Sequence, residues 1–449
     1  MQSSSIARPQ LDDDYVFVER EDAIGHYPGI PGKEAETGHL GEISDFLDDR
    51  ANDLWAINKT IHDNPELGYN EFIAHKTLTS FMARQRGWKV TPSAYGLATA
   101  WVAVYDTEKK GAVVSYNVEM DALEGIGHAC GHNLIATASV AAGLATAEIL
   151  ARHALGGKVV LFGTPAEEGG GGKIKLLEAG AYRDHKVDVC LISHPGIVQN
   201  TAVMRTSAYT AFKVEYHGRE AHAAADPWRG INALDALIVA YNAISVLRQQ
   251  TMPGDVIQGN ITDGGSRPNI IHAHSAGDFV VRANTQARLC ELKRKVDACF
   301  EAGATATGAK LGMEHLMSYA DHVPNRLLAT YYRRHFNKLS SPSDQIPDNS
   351  RGGVDEIVGR TTASTDQGNV SYAMPSLNVG FSIPAGPGGA GPHNPGFAQA
   401  AGTEIAFRNC LRVAKAMAAV GVDVLEDTGD LLDRVKREWK EDIKPKKYQ

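Results

Sequence analysis

Short apolar runs alternate with helical segments along much of the chain, and this alternation restricts the possible folds more than any other feature. The run at 112–118 is followed by a Gly-rich turn and a helical segment of small residues at 134–153. The same order of apolar run, loop and helical segment is repeated at 158–162 and 173–179, and a third apolar run lies at 187–192. The pattern predicts an α/β fold with a mostly parallel sheet flanked by helices.

The pattern changes near residue 206, which indicates that a second domain is inserted. The segments then follow in the order β-α-β-β-α-β, which is typical of an α+β sandwich of the ferredoxin-like type. Strands are predicted at 209–216, 256–261, 278–282 and 310–315, with helices at 231–249 and 286–302. The chain then returns to the first domain, where 376–382 supplies one more buried strand.

A chain of 449 residues is too long for one simple core, so two domains are expected. The large domain opens with helical segments at 43–58 and 72–86. We divide the chain into an N-terminal extension at 1–40, a first part of the large domain at 41–205, the inserted domain at 206–317, and a second part of the large domain with a charged C-terminal tail at 318–449.

Composition argues against several classes of partner. The chain has 53 acidic and 45 basic residues, a net charge of -8 and no basic tract, so nucleic acid is not an expected partner. The stretch 134–150 is nearly free of charge but short and rich in small residues, so we expect a packed helix and no membrane span. Five scattered cysteines and the absence of an apolar N-terminal segment favour a cytoplasmic location without a disulfide framework.

A Gly-rich turn at 125–133, with the sequence G-I-G-H-A-C-G-H-N, contains the first candidate ligands. Cys130 and His132 are separated by Gly131, whose permissive backbone lets both side chains face one metal ion. Taken alone, the turn is equally consistent with a buried cysteine and a core histidine, because free cysteine usually behaves as a small apolar residue. Other loops must decide between these interpretations.

Three further loops that follow predicted strands carry ligand-type side chains, namely Glu167 with Glu168, then His194, then His393. The carboxyl ends of parallel strands share one edge of a sheet, so the four loops are expected to meet. Cysteine, histidine and carboxylate ligands suit zinc or manganese, and a bridging thiolate would hold two divalent ions together and so activate water. Adjacent glutamates in an extended loop point in opposite directions, so one can bind metal while the other is a general base. The alternative is that one glutamate is merely exposed to solvent.

Five motifs and a late histidine, His393, occur in a specific order: H-A-C-G-H-N, P-A-E-E-G-G-G-G, S-H-P-G, G-R-E-A-H-A-A and S-T-D-Q-G-N-V-S. Together they resemble the dinuclear metallopeptidase family of aminoacylases, carboxypeptidases and auxin-conjugate amidohydrolases. The sequence is most similar to the dipeptidase and aminobenzoyl-glutamate hydrolase branch, over roughly residues 62–407. The resemblance implies that the large domain is catalytic and that the inserted domain is a lid that also forms dimers.

The resemblance also implies a role for each candidate residue. Glu167 would be the general base, and His222 would reach from the lid of one subunit into the other subunit's site to stabilise the oxyanion. A homodimer is therefore implied. The metal ligands would be Cys130, as the bridging ligand, with His132, Glu168, His194 and His393.

Several other positions allow more than one interpretation. Asn269 and Arg282 are candidates for binding a substrate carboxylate, although Arg282 also suits a structural salt bridge. His222 could instead cap the end of a strand. Asp121 is a candidate for orienting a ligand histidine. Glu124 departs from the branch, which usually has proline there, and places a negative charge near the metal turn.

These features predict a metal-dependent amidohydrolase or dipeptidase that hydrolyses a small molecule, either a dipeptide or an N-acyl amino acid. Two alternatives stay open. The same site could form amide bonds, because the reverse reaction uses the same groups. The chain could also be a dimeric binding or scaffold protein without catalytic activity, against which the complete ligand set argues.

Overall fold

The computed structural model describes residues 38–347, 359–427 and 430–444. The helices are α1 (Leu40–Asp49), α2 (Ala51–Asp63), α3 (Phe72–Ala83), α4 (His132–Arg152), α5 (Gly172–Glu178), α6 (Ala181–Asp184), α7 (Ala233–Leu247), α8 (Gln286–Thr307), α9 (Arg326–Lys338), α10 (Gln367–Ala373), α11 (Pro395–Ala401), α12 (Glu404–Glu426) and α13 (Leu431–Asp442). The strands are β1 (Trp88–Pro92), β2 (Trp101–Asp106), β3 (Val113–Glu119), β4 (Lys158–Thr164), β5 (Val189–Gly196), β6 (Ala208–His217), β7 (Val256–Asp263), β8 (His274–Ala283), β9 (Lys310–Tyr319) and β10 (Ser376–Ser382). Most of the extension predicted at 1–40 lies outside the described residues.

The large domain is built on a six-stranded sheet with the order β1-β2-β4-β3-β5-β10. Strands β4, β3, β5 and β10 pair in parallel, whereas β1 and β2 are antiparallel and form one edge. All seven residues of β3 are buried, as expected for a central strand that is covered on both faces. The predicted α/β fold with a mostly parallel sheet flanked by helices is therefore confirmed.

Two long helices, α4 and α12, pack together on the sheet and belong to the larger hydrophobic core. Small residues let α4 lie close to the sheet, because a Cβ atom at Gly143 would be only 2.6 Å from Leu161 Cδ2 of β4. Helix α4 is long and apolar enough to cross a membrane, but 89% of its most apolar window is buried within the fold. We therefore identify it as a core helix, in agreement with the packed helix expected from its composition.

The inserted domain, called the lid below, contains a separate antiparallel sheet with the order β7-β8-β6-β9. Helices α7 and α8 pack on this sheet, and together these elements form a second hydrophobic core. The strand order and the order of elements along the chain are those of the predicted ferredoxin-like sandwich. The strands span Ala208 to Tyr319. The proposed domain boundaries at 206 and 317 stay a prediction.

Several elements differ from the sequence prediction. The helix predicted at 43–58 is two helices, α1 and α2, which separate at Arg50. The sequence pattern gives no signal for β1, because this edge strand is largely exposed and ends in a proline. The predicted charged C-terminal tail contains helix α13, which packs on the fold. Leu431 and Val435 of this helix are buried, and the Val435 carbonyl accepts a hydrogen bond from Asn325 Nδ2 at 3.0 Å.

All five cysteines are free thiols, and Cys130, Cys190 and Cys410 are buried. This agrees with the expectation that the chain has no disulfide framework. Of the three buried cysteines, only Cys130 lines the large cavity described below. A cytoplasmic location stays a prediction.

Candidate metal centre and active site

Four loops of the large domain bring the predicted ligands to one edge of the parallel sheet. The loops lie at the carboxyl ends of β3, β4, β5 and β10, which are neighbours in the sheet and run in parallel. In that order these strand ends and loops supply Cys130 and His132, Glu167 and Glu168, His194, and His393. His194 lies within β5 and not in the predicted loop, and His132 is the first residue of α4. The structure therefore brings together the six side chains that the sequence pattern singled out in these loops.

The turn after β3 holds Cys130 and His132 on either side of Gly131. Gly131 has a left-handed backbone (φ 80°), and a Cβ atom there would lie 2.5 Å from Pro195 Cγ, so only glycine fits. His132 Nδ1 donates a hydrogen bond to the backbone oxygen of Asp121 at 2.8 Å, and the Asp121 carboxylate is 3.1 Å from the same nitrogen. These contacts fix the tautomer and leave His132 Nε2 for a metal ion.

Three carboxylates face His132 Nε2, which is buried and has no hydrogen-bond partner among the described residues. The nearest oxygen is Glu119 Oε2 at 3.5 Å, followed by Glu167 Oε2 at 3.8 Å and Glu168 Oε1 at 4.0 Å. These separations are too long for good hydrogen bonds. Nitrogen and oxygen atoms therefore surround a space that suits a cation.

The other two histidines approach from the opposite loops. His194 Nε2 lies 3.3 Å from Cys130 Sγ, while His194 Nδ1 donates to the backbone oxygen of the next residue at 2.8 Å. His393 Nε2 lies 3.3 Å from Glu168 Oε1. The His393 backbone N–H donates to the carbonyl of Ala129 at 2.8 Å, which ties the last loop to the cysteine turn. Both imidazoles are thus held where they can bind a metal ion.

The ligand atoms form three overlapping groups, and within each group they all lie within 4.8 Å of one another. The groups are Cys130 with His132 and His194, Cys130 with Glu168 and His393, and His132 with Glu167 and Glu168. Cys130 belongs to two of these groups, so its Sγ faces both sets of ligand atoms. Burial raises the pKa of the Cys130 thiol against the opposing effect of His132.

The adjacent residues Glu167 and Glu168 have different environments. Burial, and then the charge of Glu119, raise the pKa of Glu167 well above its usual range. Burial also acts to raise the pKa of Glu168, but the hydrogen bond from His393 and the charge of His132 outweigh it and lower that pKa. Glu168 is therefore suited to remain ionised as a ligand, whereas Glu167 can take up and release a proton.

Three buried charged residues beside the ligands do not stand out in the sequence. Lys173 Nζ lies 2.7 Å from Glu119 Oε1 and 2.5 Å from Asp366 Oδ1. Two of them leave a signal in the sequence. Glu119 ends an otherwise uncharged buried strand, and Lys173 follows four glycines at the start of a helix. Asp366 stands in the motif S-T-D-Q-G-N-V-S, whose residues have no role assigned from the sequence.

A cavity of about 930 Å³ lies beside the ligand groups, between the large domain and the lid. The large domain contributes Cys130 and Glu167 to its lining, and the lid contributes Tyr209, Arg282 and Tyr319. Arg282 Nη1 is 3.0 Å from Ser364 Oγ, and its guanidinium group lies over the Tyr209 ring at 4.8 Å. Arg282 therefore lines this cavity, and its polar contacts within the described residues are with a hydroxyl and a backbone carbonyl rather than with a carboxylate. No salt bridge of Arg282 is present among the described residues, and its role in binding a carboxylate stays a prediction.

His222 and Asn269 lie outside this cavity in the same chain. Both are exposed, and their segments are joined because the Ala223 N–H donates to the Asn269 backbone oxygen at 3.0 Å. His222 Nδ1 accepts hydrogen bonds from the N–H groups of the two alanines that follow Ala223, at 3.2 and 3.1 Å. Within one chain, Asn269 therefore lies away from Arg282, the other residue predicted to bind a substrate carboxylate, because only Arg282 lines the cavity. Glu124 is also exposed and does not line the cavity.

Known proteins resemble the chain over most of its length. Residues 103–419 match the model of Peptidase family M20/M25/M40. The chain is 38% identical over 405 residues to Xaa-Arg dipeptidase of Mus musculus, and the match covers 88% of this chain and 90% of that protein. It is 37% identical over 414 residues to Xaa-Arg dipeptidase of Homo sapiens, covering 88% of this chain and 91% of that protein. A p-aminobenzoyl-glutamate hydrolase chain of Escherichia coli K12 is 27% identical over 459 residues, covering 87% of this chain and 93% of that protein.

Solved structures share the fold. A dinuclear metal-binding peptidase of the M20 family from Bacillus subtilis superposes with a TM-score of 0.63 at 17% identity, covering 84% of this chain and 99% of that one. An aminobenzoyl-glutamate utilization protein from Klebsiella pneumoniae gives a TM-score of 0.59 at 18% identity, covering 86% and 98%. The family resemblance seen in the motifs is confirmed, and the chain therefore belongs to peptidase family M20/M25/M40 and is a hydrolase.

Proposed function

We propose that this hydrolase uses two divalent metal ions, zinc or manganese, to cleave the amide bond of a dipeptide or an N-acyl amino acid. The observation that carries the proposal is the overlap of the ligand groups at Cys130 beside the buried Glu167. The unpartnered His132 Nε2 and the mixture of thiol, imidazole and carboxylate donors fit such ions. The substrates in the names of the relatives, a dipeptide and an aminobenzoyl-amino acid, are of this class.

In the proposed reaction Cys130, His132, Glu168, His194 and His393 hold the ions. When bound, two divalent ions make water nucleophilic at neutral pH and polarise a carbonyl oxygen. Glu167 then takes a proton from the attacking water and passes it to the nitrogen of the leaving amine. Burial acts to raise the pKa of Glu167 and so favours uptake of this proton, because a carboxylate with an ordinary pKa is a weak base at neutral pH.

Arg282 is proposed to bind the substrate carboxylate. Its guanidinium group lines the cavity and is oriented by Ser364 and by the Tyr209 ring. A planar guanidinium binds a carboxylate with two parallel hydrogen bonds, which positions the neighbouring amide bond as well as holding the substrate. This contact would select amino acids and peptides with a free carboxyl group.

His222 and Asn269 are proposed to act in the cavity of a second subunit of a homodimer. They share one exposed end of the lid, and their segments are joined by backbone hydrogen bonds, so they would enter a partner's cavity together. There His222 would stabilise the negative charge that develops on the carbonyl oxygen, and Asn269 would bind substrate. We also propose that the dimer acts in the cytoplasm.

The experiment combines metal analysis with activity measurements. Protein stripped of metal is reconstituted with zinc or manganese and assayed on dipeptides, including those ending in arginine, and on N-acyl amino acids. Hydrolysis that depends on the metal supports the proposal, and the absence of metal binding and of hydrolysis across this panel would refute it. Incubation of the separate acids and amines in the same samples tests for amide bond formation.

The two adjacent glutamates provide matched variants for the same assay. Glu167→Gln is expected to keep both ions and to lose at least about 100-fold in kcat, because the general base is removed. Glu168→Gln is expected to lose metal affinity, because a ligand is removed. The opposite pair of results would exchange the two roles.

A further inference from the structure

A buried ion-pair network lies directly beside the proposed metal centre. Lys173 and Asp366 are 0% exposed and Glu119 is 2% exposed. One ammonium group is shared by two carboxylates, at 2.7 Å from Glu119 Oε1 and 2.5 Å from Asp366 Oδ1. The Lys173 backbone N–H also donates to Asp366 Oδ2 at 2.8 Å. Buried charges are costly unless they are paired, so this network holds each of its side chains in one orientation.

Lys173 occupies only one of the two oxygens of Glu119. The second oxygen, Oε2, lies 3.5 Å from His132 Nε2. The other carboxylates near this nitrogen are farther away, at 3.8 Å for Glu167 and 4.0 Å for Glu168. Among these three carboxylates, Glu119 therefore supplies the oxygen nearest to His132 Nε2.

The distance between these two atoms fits shared binding of an ion. Two ligands at about 2.1 Å from a tetrahedral zinc ion are separated by about 3.4 Å. A direct hydrogen bond between them would be shorter, and His132 Nε2 has no hydrogen-bond partner among the residues that the structure describes. The pair is thus arranged around a cation and not as a hydrogen-bonded pair.

The sequence at the end of β3 explains how Glu119 reaches this position. Glu119 is the last residue of β3, Asp121 follows two residues later, and both side chains face the His132 ring. Asp121 contacts Nδ1 of His132, and Glu119 faces Nε2 of the same ring. One strand end thus supplies a group that orients the imidazole and a second group that faces its metal-binding nitrogen.

We propose that Glu119 is an additional ligand of the ion that His132 binds, and that Lys173, itself held by Asp366, fixes the Glu119 side chain. This inference rests on the proposed metal-dependent function. It assigns a role to a carboxylate outside the five ligands taken from the motifs. It also explains why a lysine is buried at this position, because the ammonium group offsets part of the negative charge that the carboxylates bring together.

Cobalt titration of the metal-free protein tests the proposal, with stoichiometry measured by equilibrium dialysis and the visible d–d absorption recorded at each step. The wild-type protein is expected to bind two ions per chain. Glu119→Gln is expected to bind one of them more than about 100-fold more weakly, with a changed d–d band for that ion, because its coordination changes. A smaller loss with an unchanged spectrum would mean that Glu119 only orients a ligand, and would overturn the proposal.

Two further variants control for folding. Glu119→Gln leaves Lys173 with one carboxylate fewer, so the double variant Glu119→Gln/Lys173→Met removes both charges and serves if the single variant does not fold. It is expected to show the same loss of one ion. Asp255→Asn removes a buried carboxylate paired with Arg288 in the lid, at 2.5 Å, and is expected to leave cobalt binding unchanged.

The results distinguish this inference from the proposed function. Wild-type protein that binds no cobalt would refute the proposed metal centre itself. Wild-type protein that binds two ions, together with a folded Glu119 variant that binds both with unchanged affinity and spectrum, would refute only the role of Glu119.

Discussion

At the residue scale, Gly131 is the position on which the metal turn depends most. Its left-handed backbone and its approach to Pro195 both require the absence of a side chain. The residue allows Cys130 and His132 to leave the turn toward the same groups of ligands. We therefore expect even the addition of one methyl group at this glycine to disturb the proposed metal centre.

We expect Gly131→Ala to destabilise the protein by roughly 1–3 kcal/mol from backbone strain alone, with a further cost from the collision with Pro195. Gly125→Ala is the matched control, because Gly125 also has positive φ (72°) but nothing lies within 4 Å of a Cβ atom there. Urea denaturation of the two variants measures the difference, and zinc binding shows its effect on the site. Equal stability losses and unchanged zinc binding would contradict the role given to Gly131.

Much of the site follows from local sequence because the ligands stand in short loops with glycine or proline beside them. Cys130, Glu168 and His194 can be recognised in this way. Glu119 and Lys173 could not, since their pairing joins a strand end to the start of a helix and depends on the packing of both. His222 can be recognised only from its motif, because one chain alone does not bring it to the cavity.

At the scale of elements, strand β9 connects the lid to the loop that carries Glu167. The strand ends at Tyr319, whose hydroxyl donates to the Glu167 backbone oxygen at 2.9 Å and accepts from the Gly171 N–H at 3.1 Å. The end of a lid strand thus holds the backbone of the proposed general base. The lid therefore contributes to positioning this loop as well as to covering the cavity.

We expect Tyr319→Phe to lower kcat by about 2- to 10-fold, the value of one hydrogen bond, with little change in KM or metal content. Tyr209→Phe is the control, because Tyr209 also lines the cavity but contributes its ring to Arg282. Steady-state kinetics on a substrate found in the panel compare the two variants. Equal effects of the two changes, or an effect on KM alone, would contradict the positioning role of Tyr319.

The elements that the sequence predicts best are the central strands and the helices that cover them. Strand β3 and helix α4 are recognised because their patterns are strong and their residues are buried. Helix α12 has an equally buried face and begins after an N-cap threonine, Thr403, but small alanines make up much of that face and weaken its periodic pattern. The position of strand β2 in the sheet depends on its antiparallel pairing with β4, which lies more than 50 residues later in the chain. A local sequence pattern does not show such a pairing.

At the scale of the whole molecule, the lid presents two distinct ends. One end carries Arg282 and Tyr319 over the cavity, and the other carries the exposed His222 and Asn269. The proposed homodimer gives the second end a function in catalysis. It also predicts that two inactive variants can complement each other.

We expect mixtures of His222→Ala and Glu167→Gln proteins to regain activity, because a mixed dimer contains one site with both groups intact. Random exchange at equal concentrations would restore about one quarter of the wild-type activity, since half of the dimers are mixed and each has one intact site. Each variant incubated alone under the same conditions is the control. Proven subunit exchange without recovered activity would show that His222 does not act across subunits.

The central claim is that the four loops form one dinuclear site around Cys130, and anomalous diffraction from crystals grown with zinc tests it most directly. We expect two zinc peaks per chain, about 3.5–4 Å apart, on either side of Cys130 Sγ. His132 and His194 should face one or other of these peaks. A single peak, or zinc only at sites away from this thiol, would contradict the claim.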